Sequence, residues 1–286
     1  MNIFVVIVFY NPSSEDIASA RQLAERWQGM IVDNSPQPCF QTSVCGKMRY
    51  HFCGSNVGIA SAQNIGIREA MATEGVERII FLDQDSRVAA DYPVQISSEF
   101  DIVSRERPLA MLGPTVVNAV TDDVYRSAFH SDTAESEHFV PRREIISSGS
   151  CMSKEAAEKV GPPDDTLFID YVDFEWCWRA GAHGLRCGIT PAVSIRHQVG
   201  QRQLKILSHG VIISSPQRYF YSYRNYLWLL RRSYVPRQWK VNTGVKLFLR
   251  FFYLPFVAEE GFSTWKNMCR GIRAGLRRNN KKFGLK

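Results

Sequence analysis

An unbroken apolar run near the start of the chain, Ile3–Val8, constrains the fold more than any other feature. Such a run predicts a strand that is buried on both faces of a sheet. Two further short apolar runs are Met30–Val32 and Arg78–Leu82, and helical patterns occur at Ser13–Trp27 and Gly58–Thr73. Three strand-then-helix units within the first 110 residues predict parallel pairing, and therefore an α/β fold with a Rossmann-like sheet.

Acidic residues stand at the carboxyl ends of two of these strands. Asp33 follows the second strand, and Asp83-Gln84-Asp85 follows the third. In parallel sheets ligands sit beyond this edge, and two carboxylates around one residue can hold a hard divalent cation such as Mg²⁺ or Mn²⁺. Such a cation would neutralise charge on a leaving nucleoside diphosphate. The motif is short, and by itself it fits a solvated acidic turn equally well.

The segment Cys53–Asn64 follows a predicted strand and opens a helix. Gly54 and Gly58 permit close approach of a ligand to the backbone, and a helix N-terminus favours a negatively charged group. The segment matches neither a dinucleotide-binding glycine motif nor a P-loop. The alternative is an ordinary helix entry with Asn56 as the cap.

Four motifs in this order resemble glycosyltransferase family 2, whose members are inverting enzymes with the GT-A fold. The motifs are Val5–Pro12, Val32–Ser35, Ser55–Ala60 and Leu82–Ser86. The Asp-Gln-Asp-Ser version of the last motif is similar to the bacterial rhamnosyltransferase branch, which uses dTDP-L-rhamnose. The similarity extends to about residue 230.

The resemblance implies roles for individual residues. Asp33 would accept a hydrogen bond from the pyrimidine base, Asp83 would lie near the ribose or the metal, and Asp85 would be the direct metal ligand. The residues implied in donor binding are Asp33, Asn56, Gly58, Asn64, Asp83, Gln84, Ser148, Gly149 and Arg224. Ser148 and Gly149 belong to a stretch of small residues beneath the donor sugar. His197 would complete the metal shell with Asp85 and Asp83, although a lone His is as readily a structural residue.

An inverting transfer needs a base that takes the proton of the acceptor hydroxyl. The segment Phe168–Ala182 has helical character and resembles the family's Glu-Asp-x-Asp motif when it is aligned on Arg179. This alignment makes Asp173 the base and puts Glu175 in the place of the second Asp. The first Glu of the motif is missing, so Asp170 is the fallback base. The alternative is an amphipathic helix whose acids face solvent.

The net charge and the cysteine content indicate the kind of binding partner and the cellular compartment. A net charge of +7 indicates an anionic partner without choosing among nucleic acid, nucleotide and anionic lipid. Seven cysteines without a CxxC pair argue against a zinc ribbon or a disulfide framework and favour a reducing cytosol. We therefore expect a cytoplasmic protein.

Composition changes after residue 215, so we expect a GT-A catalytic domain at 1–215 and a helical, basic and aromatic extension at 216–286. In the extension, Tyr219, Tyr223 and Tyr226 are at helical spacing, and we expect them to pack on the catalytic domain. The segment Lys246–Phe256 suits an interfacial helix on the inner face of the cytoplasmic membrane. A helical pair that packs on the catalytic domain or forms a homodimer is the alternative.

The resulting hypothesis is a metal-dependent, inverting rhamnosyltransferase of lipopolysaccharide biosynthesis. It would transfer L-rhamnose from dTDP-L-rhamnose to a lipid-linked, O antigen-like saccharide. A UDP-sugar donor (galactofuranose, glucose or N-acetylglucosamine) is the alternative within the family. A nucleotidyltransferase is disfavoured because Tyr10–Ser13 is not a glycine-rich basic loop. A nucleic-acid-binding protein is disfavoured because the positive charge is concentrated at the C-terminus.

Overall fold

The computed structural model describes residues 2–118, 133–197, 203–206, 209–212 and 214–277, with the backbone alone at 118, 197, 203–206 and 209–212. The strands are β1 (Ile3–Phe9), β2 (Gly29–Asp33), β3 (Val44–Cys45), β4 (Met48–Phe52), β5 (Arg78–Asp83), β6 (Leu109–Asn118), β7 (Val140–Arg142), β8 (Cys151–Ser153), β9 (Arg186–His197), β10 (Gln203–Ile206) and β11 (His209–Ile212). The α-helices are α1 (Ser14–Arg26), α2 (Ile59–Ala72), α3 (Tyr92–Ser104), α4 (Lys154–Val160), α5 (Val172–Ala182), α6 (Pro216–Leu230), α7 (Arg237–Val257) and α8 (Gly261–Leu276), and Asp165–Leu167 is a 3-10 turn.

The chain divides into two compact units. The first unit consists of Met1–Phe168 and Val172–His197, and the second consists of Ile169–Tyr171 and Gln198–Lys286. The first unit therefore contains strands β1–β9 and helices α1–α5. The second contains β10, β11 and helices α6–α8, together with three residues from the segment before α5.

The first unit is built on a nine-stranded sheet of order β3-β4-β2-β1-β5-β8-β6-β9-β7. Strands β4, β2, β1 and β5 are adjacent and parallel, as predicted. Strand β8 is antiparallel to both β5 and β6, so those two strands run in the same direction, and β9 is parallel to β6. The carboxyl ends of β2, β1, β5, β6 and β9 therefore lie along one edge of the sheet.

Both faces of this sheet are covered by helices. In β1 the side chains of Ile3, Val5 and Ile7 belong to one apolar cluster, whereas those of Phe4 and Val6 belong to another. Helices α1 and α3 contribute to the first cluster, and α2, α4 and α5 contribute to the second. Because all seven residues of β1 are buried, its sequence is continuously apolar rather than alternating.

The second unit has a smaller core formed by three helices. Tyr219 and Tyr223 of α6, Leu247 and Leu254 of α7, and Met268 of α8 form its buried cluster. Tyr219 and Tyr223 therefore pack in the core of this unit itself, and the expected packing of the tyrosines on the catalytic domain stays a prediction. No helix among the described residues has the length and apolar content that a membrane crossing requires.

The predicted helix at Phe168–Ala182 begins later than expected, at Val172. Phe168, Asp170 and Tyr171 have φ values of +65°, +66° and +65°, which a right-handed helix excludes. The amide group of Asn225 donates hydrogen bonds to the carbonyl oxygens of Ile169 (2.7 Å) and Asp170 (3.2 Å). These contacts with α6 keep Ile169 and Asp170 in a non-helical conformation. Asp170 therefore does not lie on the helix that carries Asp173.

Candidate active site

The two acidic positions lie on either side of β1 at the carboxyl edge of the sheet. The last residues of β1 pair with both neighbouring strands, Phe9 with Asp33 and Val8 with Asp83. Because neighbouring strands are about 4.8 Å apart, the backbones of Asp33 and Asp83 are roughly 10 Å apart. The parallel order of the strands therefore brings together two acidic positions that are distant in the sequence.

The triplet Asp83-Gln84-Asp85 forms a turn at the end of β5. The Asp83 N–H donates to Ser86 Oγ (3.1 Å), and the Ser86 N–H donates to the Asp83 carbonyl oxygen (3.0 Å). Gln84 Oε1 accepts a hydrogen bond from the Tyr10 N–H (2.6 Å), which fixes the turn against the loop after β1. Asp83 is half-buried and Asp85 is exposed, so Asp85 has the greater access to solvent.

The end of β9 approaches the same turn through the backbone. Arg87 and Arg196 form an isolated antiparallel bridge, and His197 pairs with Asn118 at the last position of the β6–β9 ladder. His197 therefore follows directly the residue that bridges to position 87, two residues after Asp85. The structure brings the backbone of the predicted third metal ligand near the triplet, and its side chain is outside the described residues.

The donor groups of the turn fit a hard divalent cation. Asp83 and Asp85 offer carboxylate oxygens, which Mg²⁺ and Mn²⁺ prefer. Among the residues that the structure describes, no three His, Cys, Asp or Glu side chains form a group that could hold a metal ion. Two carboxylates suffice where phosphate oxygens and water complete the shell. The turn therefore suits a cation that binds together with a diphosphate.

A turn of small residues before β8 connects the triplet to the predicted base. The hydroxyl groups of Ser148 and Ser86 share a hydrogen bond (3.0 Å). The Ser147 N–H donates to Asp173 Oδ2 (3.0 Å), and Gln63 Nε2 donates to Ser147 Oγ (2.9 Å). One turn thereby joins the end of β5, the helix α2 and the start of α5.

This turn requires glycine at position 149. Gly149 has a φ of +75°, and an added Cβ would stand 2.7 Å from Tyr92 Oη and 2.9 Å from a ring carbon of Pro114. The Gly149 N–H donates to the Phe81 carbonyl oxygen (2.7 Å), and its own carbonyl oxygen accepts from Tyr92 Oη (2.5 Å). The missing side chain therefore leaves room for Tyr92 and Pro114 beside the turn, whose backbone hydrogen-bonds to β5.

The acidic residues of α5 have different surroundings. Asp173 is half-buried in the first turn, where the helix dipole favours a carboxylate. Glu175 has no exposed surface, and its two oxygens pair with Arg179 Nε (3.0 Å) and Nη2 (3.1 Å). Arg179 also donates to the carbonyl oxygens of Val160 (2.6 Å) and Pro162 (2.8 Å). A contact of Glu175 with substrate would require this buried ion pair to open.

Asp170, the predicted fallback base, is engaged within the second unit. Its Oδ1 accepts from Arg218 Nε (2.8 Å), and its Oδ2 accepts from the Ser222 hydroxyl. Both partners lie on α6. Hydrogen bonds thus connect Asp173, through the turn at Ser147 and Ser148, to the residue that follows the triplet, whereas Asp170 anchors its own segment to α6.

Asp33 is fully buried and organises the loop after β2. Its carboxylate accepts hydrogen bonds from the N–H groups of Ser35 (2.8 Å) and Cys39 (3.0 Å) and from the Tyr50 hydroxyl (2.6 Å). Burial raises the pKa of Asp33, but the hydrogen bonds from Ser35, Tyr50 and Cys39 outweigh it and hold the pKa below its usual value. Contact with a pyrimidine base stays a prediction.

The loop before α2 has a capped backbone, and two incompletely bonded amides belong to Asn34, after β2, and Asn64, within α2. Asn56 Oδ1 accepts from the Gly58 N–H (2.9 Å), and an added Cβ at Gly58 would stand 2.6 Å from the Phe168 carbonyl oxygen. Asn34 Nδ2 donates to the Gly58 carbonyl oxygen (3.3 Å), and Asn64 Nδ2 donates to that of Pro163 (2.9 Å). The Oδ1 atoms of Asn34 and Asn64 are buried without a hydrogen-bond partner among the described residues.

Arg224, predicted to contact the donor, packs against aromatic side chains of its own helix, α6. Its guanidinium lies 5.5, 4.9 and 4.4 Å from the ring centroids of Phe220, Tyr221 and Trp228. It also donates to Asn225 Oδ1 from Nε (3.0 Å) and Nη2 (2.8 Å). These contacts account for its position in the second unit, and a contact with the donor stays a prediction.

Sequence reasoning did not assign hydrogen-bonding roles to four residues that hold the site together. Tyr10 bonds to Gln84, Tyr50 to Asp33, Gln63 to Ser147, and Ser86 to Ser148. Gln63 and Ser147 are 84 positions apart, and Tyr10 and Gln84 are 74 positions apart. No local motif marks such pairs. Ser86 alone had a local signal, because it directly follows the acidic triplet.

Two known proteins resemble the chain over most of its length. The chain is 34% identical over 247 residues to the dTDP-rhamnosyl transferase RfbF of Shigella flexneri, which covers 82% of this chain and 82% of that protein. It is 25% identical over 275 residues to the galactofuranosyltransferase GlfT1 of Mycolicibacterium smegmatis, covering 87% and 86%. No protein-family model matches the chain.

A likeness to solved structures supports the fold. The crystal structure of GalNAc-T7 with UDP, GalNAc and Mn²⁺ superposes with a TM-score of 0.54 at 14% identity over 94% of this chain. The match covers 55% of that chain, so this protein spans about half of its length. At this level of identity the likeness concerns the GT-A fold alone.

Proposed function

This chain belongs to the family 2 glycosyltransferases with the GT-A fold, in the branch of the dTDP-rhamnosyl transferases, and we propose that it transfers L-rhamnose from dTDP-L-rhamnose to a lipid-linked surface saccharide of the O antigen type. The identity with the Shigella flexneri relative supports the donor. Gln84 within the acidic triplet supports the same donor through the resemblance of the Asp-Gln-Asp-Ser motif.

The proposed reaction is a single displacement in which Asp173 is the base. The acceptor hydroxyl oxygen bonds to the anomeric carbon as the bond from that carbon to the diphosphate oxygen breaks, so the configuration inverts. The hydroxyl proton moves to the Asp173 carboxylate, and dTDP leaves with the bonding electron pair. The Ser147 N–H holds Asp173 Oδ2 and so orients the carboxylate for this transfer.

The observation that carries the proposal is the hydrogen-bonded connection between the base and the triplet. Asp173 binds the backbone of Ser147, and the next residue, Ser148, binds Ser86 at the end of the triplet. Ser147 and Ser148 are both buried, so the connection is part of the core. This supports a site in which the base and the diphosphate-binding turn keep a fixed separation, as transfer between two bound sugars requires.

The proposed metal ligands are Asp85 and Asp83, with His197 as the third. A divalent cation on these residues would supply charge neutralisation for the leaving diphosphate. The remaining donor contacts that we propose are those of Asp33, Asn56, Gly58, Asn64, Gln84, Ser148, Gly149 and Arg224.

The proposal can be tested with a panel of nucleotides and donors, by thermal unfolding and by transfer assays. We expect dTDP with Mn²⁺ or Mg²⁺ to stabilise the protein by about 2.7 kcal/mol at a hundredfold excess over the dissociation constant, and UDP or GDP to stabilise it less. Asp85→Asn should remove the metal-dependent part of this effect, whereas Glu158→Gln, an exposed acid on α4, should leave it unchanged. If none of the three nucleotides stabilises the protein, the proposal is wrong.

A UDP-sugar donor is the second candidate, and the galactofuranosyltransferase relative supports it. UDP-galactofuranose, UDP-glucose and UDP-N-acetylglucosamine therefore belong in the same panel. Stronger stabilisation by UDP than by dTDP, together with transfer from one of these donors, would replace rhamnose in the proposal and keep the transferase activity.

The proposal extends to the organisation of the chain. Residues 1–215 would form the catalytic domain, and residues 216–286 would hold it on the inner face of the cytoplasmic membrane, where a lipid-linked acceptor is found. Cell fractionation tests the location: the protein should be recovered with membranes at low salt, and a smaller share of it should remain with them at high salt. A homodimer formed through the extension is the competing role.

A further inference from the structure

Helix α7 carries an exposed apolar stripe in addition to its buried face. We call it the outer stripe. Its members are at least half exposed: Val241 63%, Val245 55%, Phe248 64%, Leu249 56%, Phe252 58% and Phe256 88%. Apolar groups on this scale, left in water on one side of a helix, mark a contact surface rather than a part of the core.

The outer stripe lies opposite the side of α7 that packs in the second unit. Five of its residues follow one another at i, i+4, i+7, i+11 and i+15, which places them on one side of an α-helix. The buried residues Trp239, Thr243 and Leu247 alternate with them. At about 100° per residue the two sets point in opposite directions, and Lys246 and Arg250 fall outside the arc of the stripe.

Aromatic contacts continue this surface from α7 to α8. Trp265 of α8 lies 6.0 Å from Phe251, and Phe251 lies 5.5 Å from Phe252 of the outer stripe, between ring centroids. Phe262, in the first turn of α8, is 77% exposed. The exposed side of α8 also carries three cations, Lys266, Arg270 and Arg273, and the exposed Arg277 directly follows the helix.

Charge is divided unequally along the chain. Residues 216–286 contain 16 Lys and Arg against two acids, Glu259 and Glu260, whereas residues 1–215 contain 19 Lys and Arg against 26 acids. The net charge of +7 is therefore the balance of +14 and −7. A surface that combines apolar aromatic residues with such an excess of cations is complementary to an anionic lipid leaflet.

We propose that the outer stripe of α7 lies in the interfacial layer of an anionic leaflet, with the exposed cations of α8 at the lipid phosphates. The inference rests on the proposed function, because a lipid-linked acceptor would lie in that leaflet. A second copy of the chain is a poorer occupant, since it would bring two segments of +14 together. The two glutamates lie in the turn between α7 and α8, outside the stripe.

Flotation with lipid vesicles tests this surface on the full-length protein. We expect wild-type protein to float with vesicles of phosphatidylglycerol and phosphatidylethanolamine and to stay behind with vesicles of phosphatidylcholine alone. Phe248→Ser/Phe256→Ser should lower the partition coefficient by about 100-fold or more, because two aromatic side chains no longer enter the interface. Lys266→Gln/Arg273→Gln should lower it by about 30-fold, at roughly fivefold per cation, and less at high salt.

Matched controls use exposed residues of the first unit. Val94→Ser/Ile102→Ser removes two exposed apolar side chains from α3, and Arg105→Gln/Lys159→Gln removes two exposed cations. Both should bind vesicles as wild type does. Circular dichroism and transfer to a water-soluble acceptor should be unchanged in all four double variants, so that a loss of vesicle binding reports the surface and not the fold.

Three outcomes would overturn the inference. The wild-type protein transfers sugar in solution but does not bind anionic vesicles, or a stripe variant floats like the wild type. In the third, the wild type does not bind vesicles and forms a dimer that the stripe substitutions dissociate. The first would leave the proposed transferase activity intact and remove only the proposed membrane location. Vesicle binding that depends on the stripe, without transfer from any donor, would support the surface and count against the proposed function alone.

Discussion

The two units differ in where their polar and apolar groups lie. In the first unit, both faces of the sheet are covered, and the polar groups of interest are at the strand ends, buried and hydrogen-bonded, as with Asp33 and Ser148. In the second unit, α7 is apolar on two opposite sides, and only one of them is covered. The first unit thus buries hydrogen-bonded polar groups at its strand ends, whereas the second leaves one apolar side of α7 uncovered.

The difference indicates which substitutions should disturb each activity. Chemistry in the first unit depends on polar atoms held at fixed positions, so it should be sensitive to the loss of a single oxygen or N–H group. The proposed membrane contact of the second unit depends on apolar area and total charge, so its effects should accumulate residue by residue. Each of the following predictions tests one side of this comparison.

The largest effect is expected for Asp173→Asn in the first unit. Asparagine keeps an oxygen that can accept from the Ser147 N–H but cannot take the acceptor proton. We expect the transfer rate to fall by about 10²- to 10⁴-fold while dTDP binding is unchanged. Single-turnover assays and thermal shifts with dTDP measure the two quantities.

Glu158→Gln, which removes an exposed acid from α4, is the matched control and should transfer sugar at the wild-type rate. If Asp173→Asn keeps wild-type turnover, Asp173 is not the base. The comparison between the two units would then lose its strongest support, because the connected polar edge would not carry the chemistry.

Much of the fold could be predicted from the sequence, because the decisive signals are local. The continuous apolar run of β1 implies burial on both faces, and Ser13 with Asp16 forms the capping box that begins α1. Non-local contacts limited the prediction elsewhere. The start of α5 was placed too early because Asn225, more than 50 residues away, holds Ile169 and Asp170 in a non-helical conformation.

The candidate site was predicted as a set of residue types but not as a network. The positions of Asp83, Asp85 and Asp173 follow from motifs, and the sheet register brings the first two to the expected edge. The pairing of Ser147 with Asp173 and of Gln84 with Tyr10 depends on the packing of distant segments. A motif also cannot distinguish Glu175, fully buried against Arg179, from a carboxylate with solvent access.

A matched pair of aromatic truncations compares the two units by stability. Phe100→Ala removes a ring that is 2% exposed in the first unit, and we expect it to lower the free energy of unfolding by about 3–5 kcal/mol. Phe256→Ala removes a ring that is 88% exposed in the second unit and should change it by less than about 0.5 kcal/mol. Urea titrations followed by circular dichroism measure both, and equal losses would break the comparison.

The carboxylate of Asp33 provides a test that depends on pH. Tyr50→Phe removes the hydroxyl that donates to Asp33, and we expect a loss of about 1.5–3 kcal/mol at neutral pH. Because the folded-state pKa of Asp33 is lowered, the stability that its hydrogen bonds contribute is present at neutral pH and is lost as the pH falls through that pKa. The difference between variant and wild type should therefore shrink in acid.

Tyr92→Phe is the control for this pH dependence, since the Tyr92 hydroxyl donates to a neutral acceptor, the Gly149 carbonyl oxygen. Its cost should be about 1 kcal/mol and should stay constant with pH. Unfolding in urea at neutral and acidic pH measures both variants. A cost of Tyr50→Phe that does not vary with pH would show that the hydroxyl does not act through the charge of Asp33.

The smallest effect is expected for Gln84→Met, which tests how strongly fixed geometry matters in the first unit. Methionine has a similar length, but its thioether sulfur is only a weak acceptor for the Tyr10 N–H, so the triplet turn loses most of an anchor worth about 0.5–1.5 kcal/mol. We expect the KM for the donor to rise by about two- to tenfold, and kcat to change less, because the turn must be ordered again when the diphosphate binds. Gln95→Met, an exposed glutamine on α3, should leave KM unchanged. If Gln84→Met and Gln95→Met have the same KM, the turn is ordered by the donor itself. The polar edge of the first unit would then form when the donor binds. In this respect it would resemble the outer stripe, whose contact with lipid is expected to form only on binding.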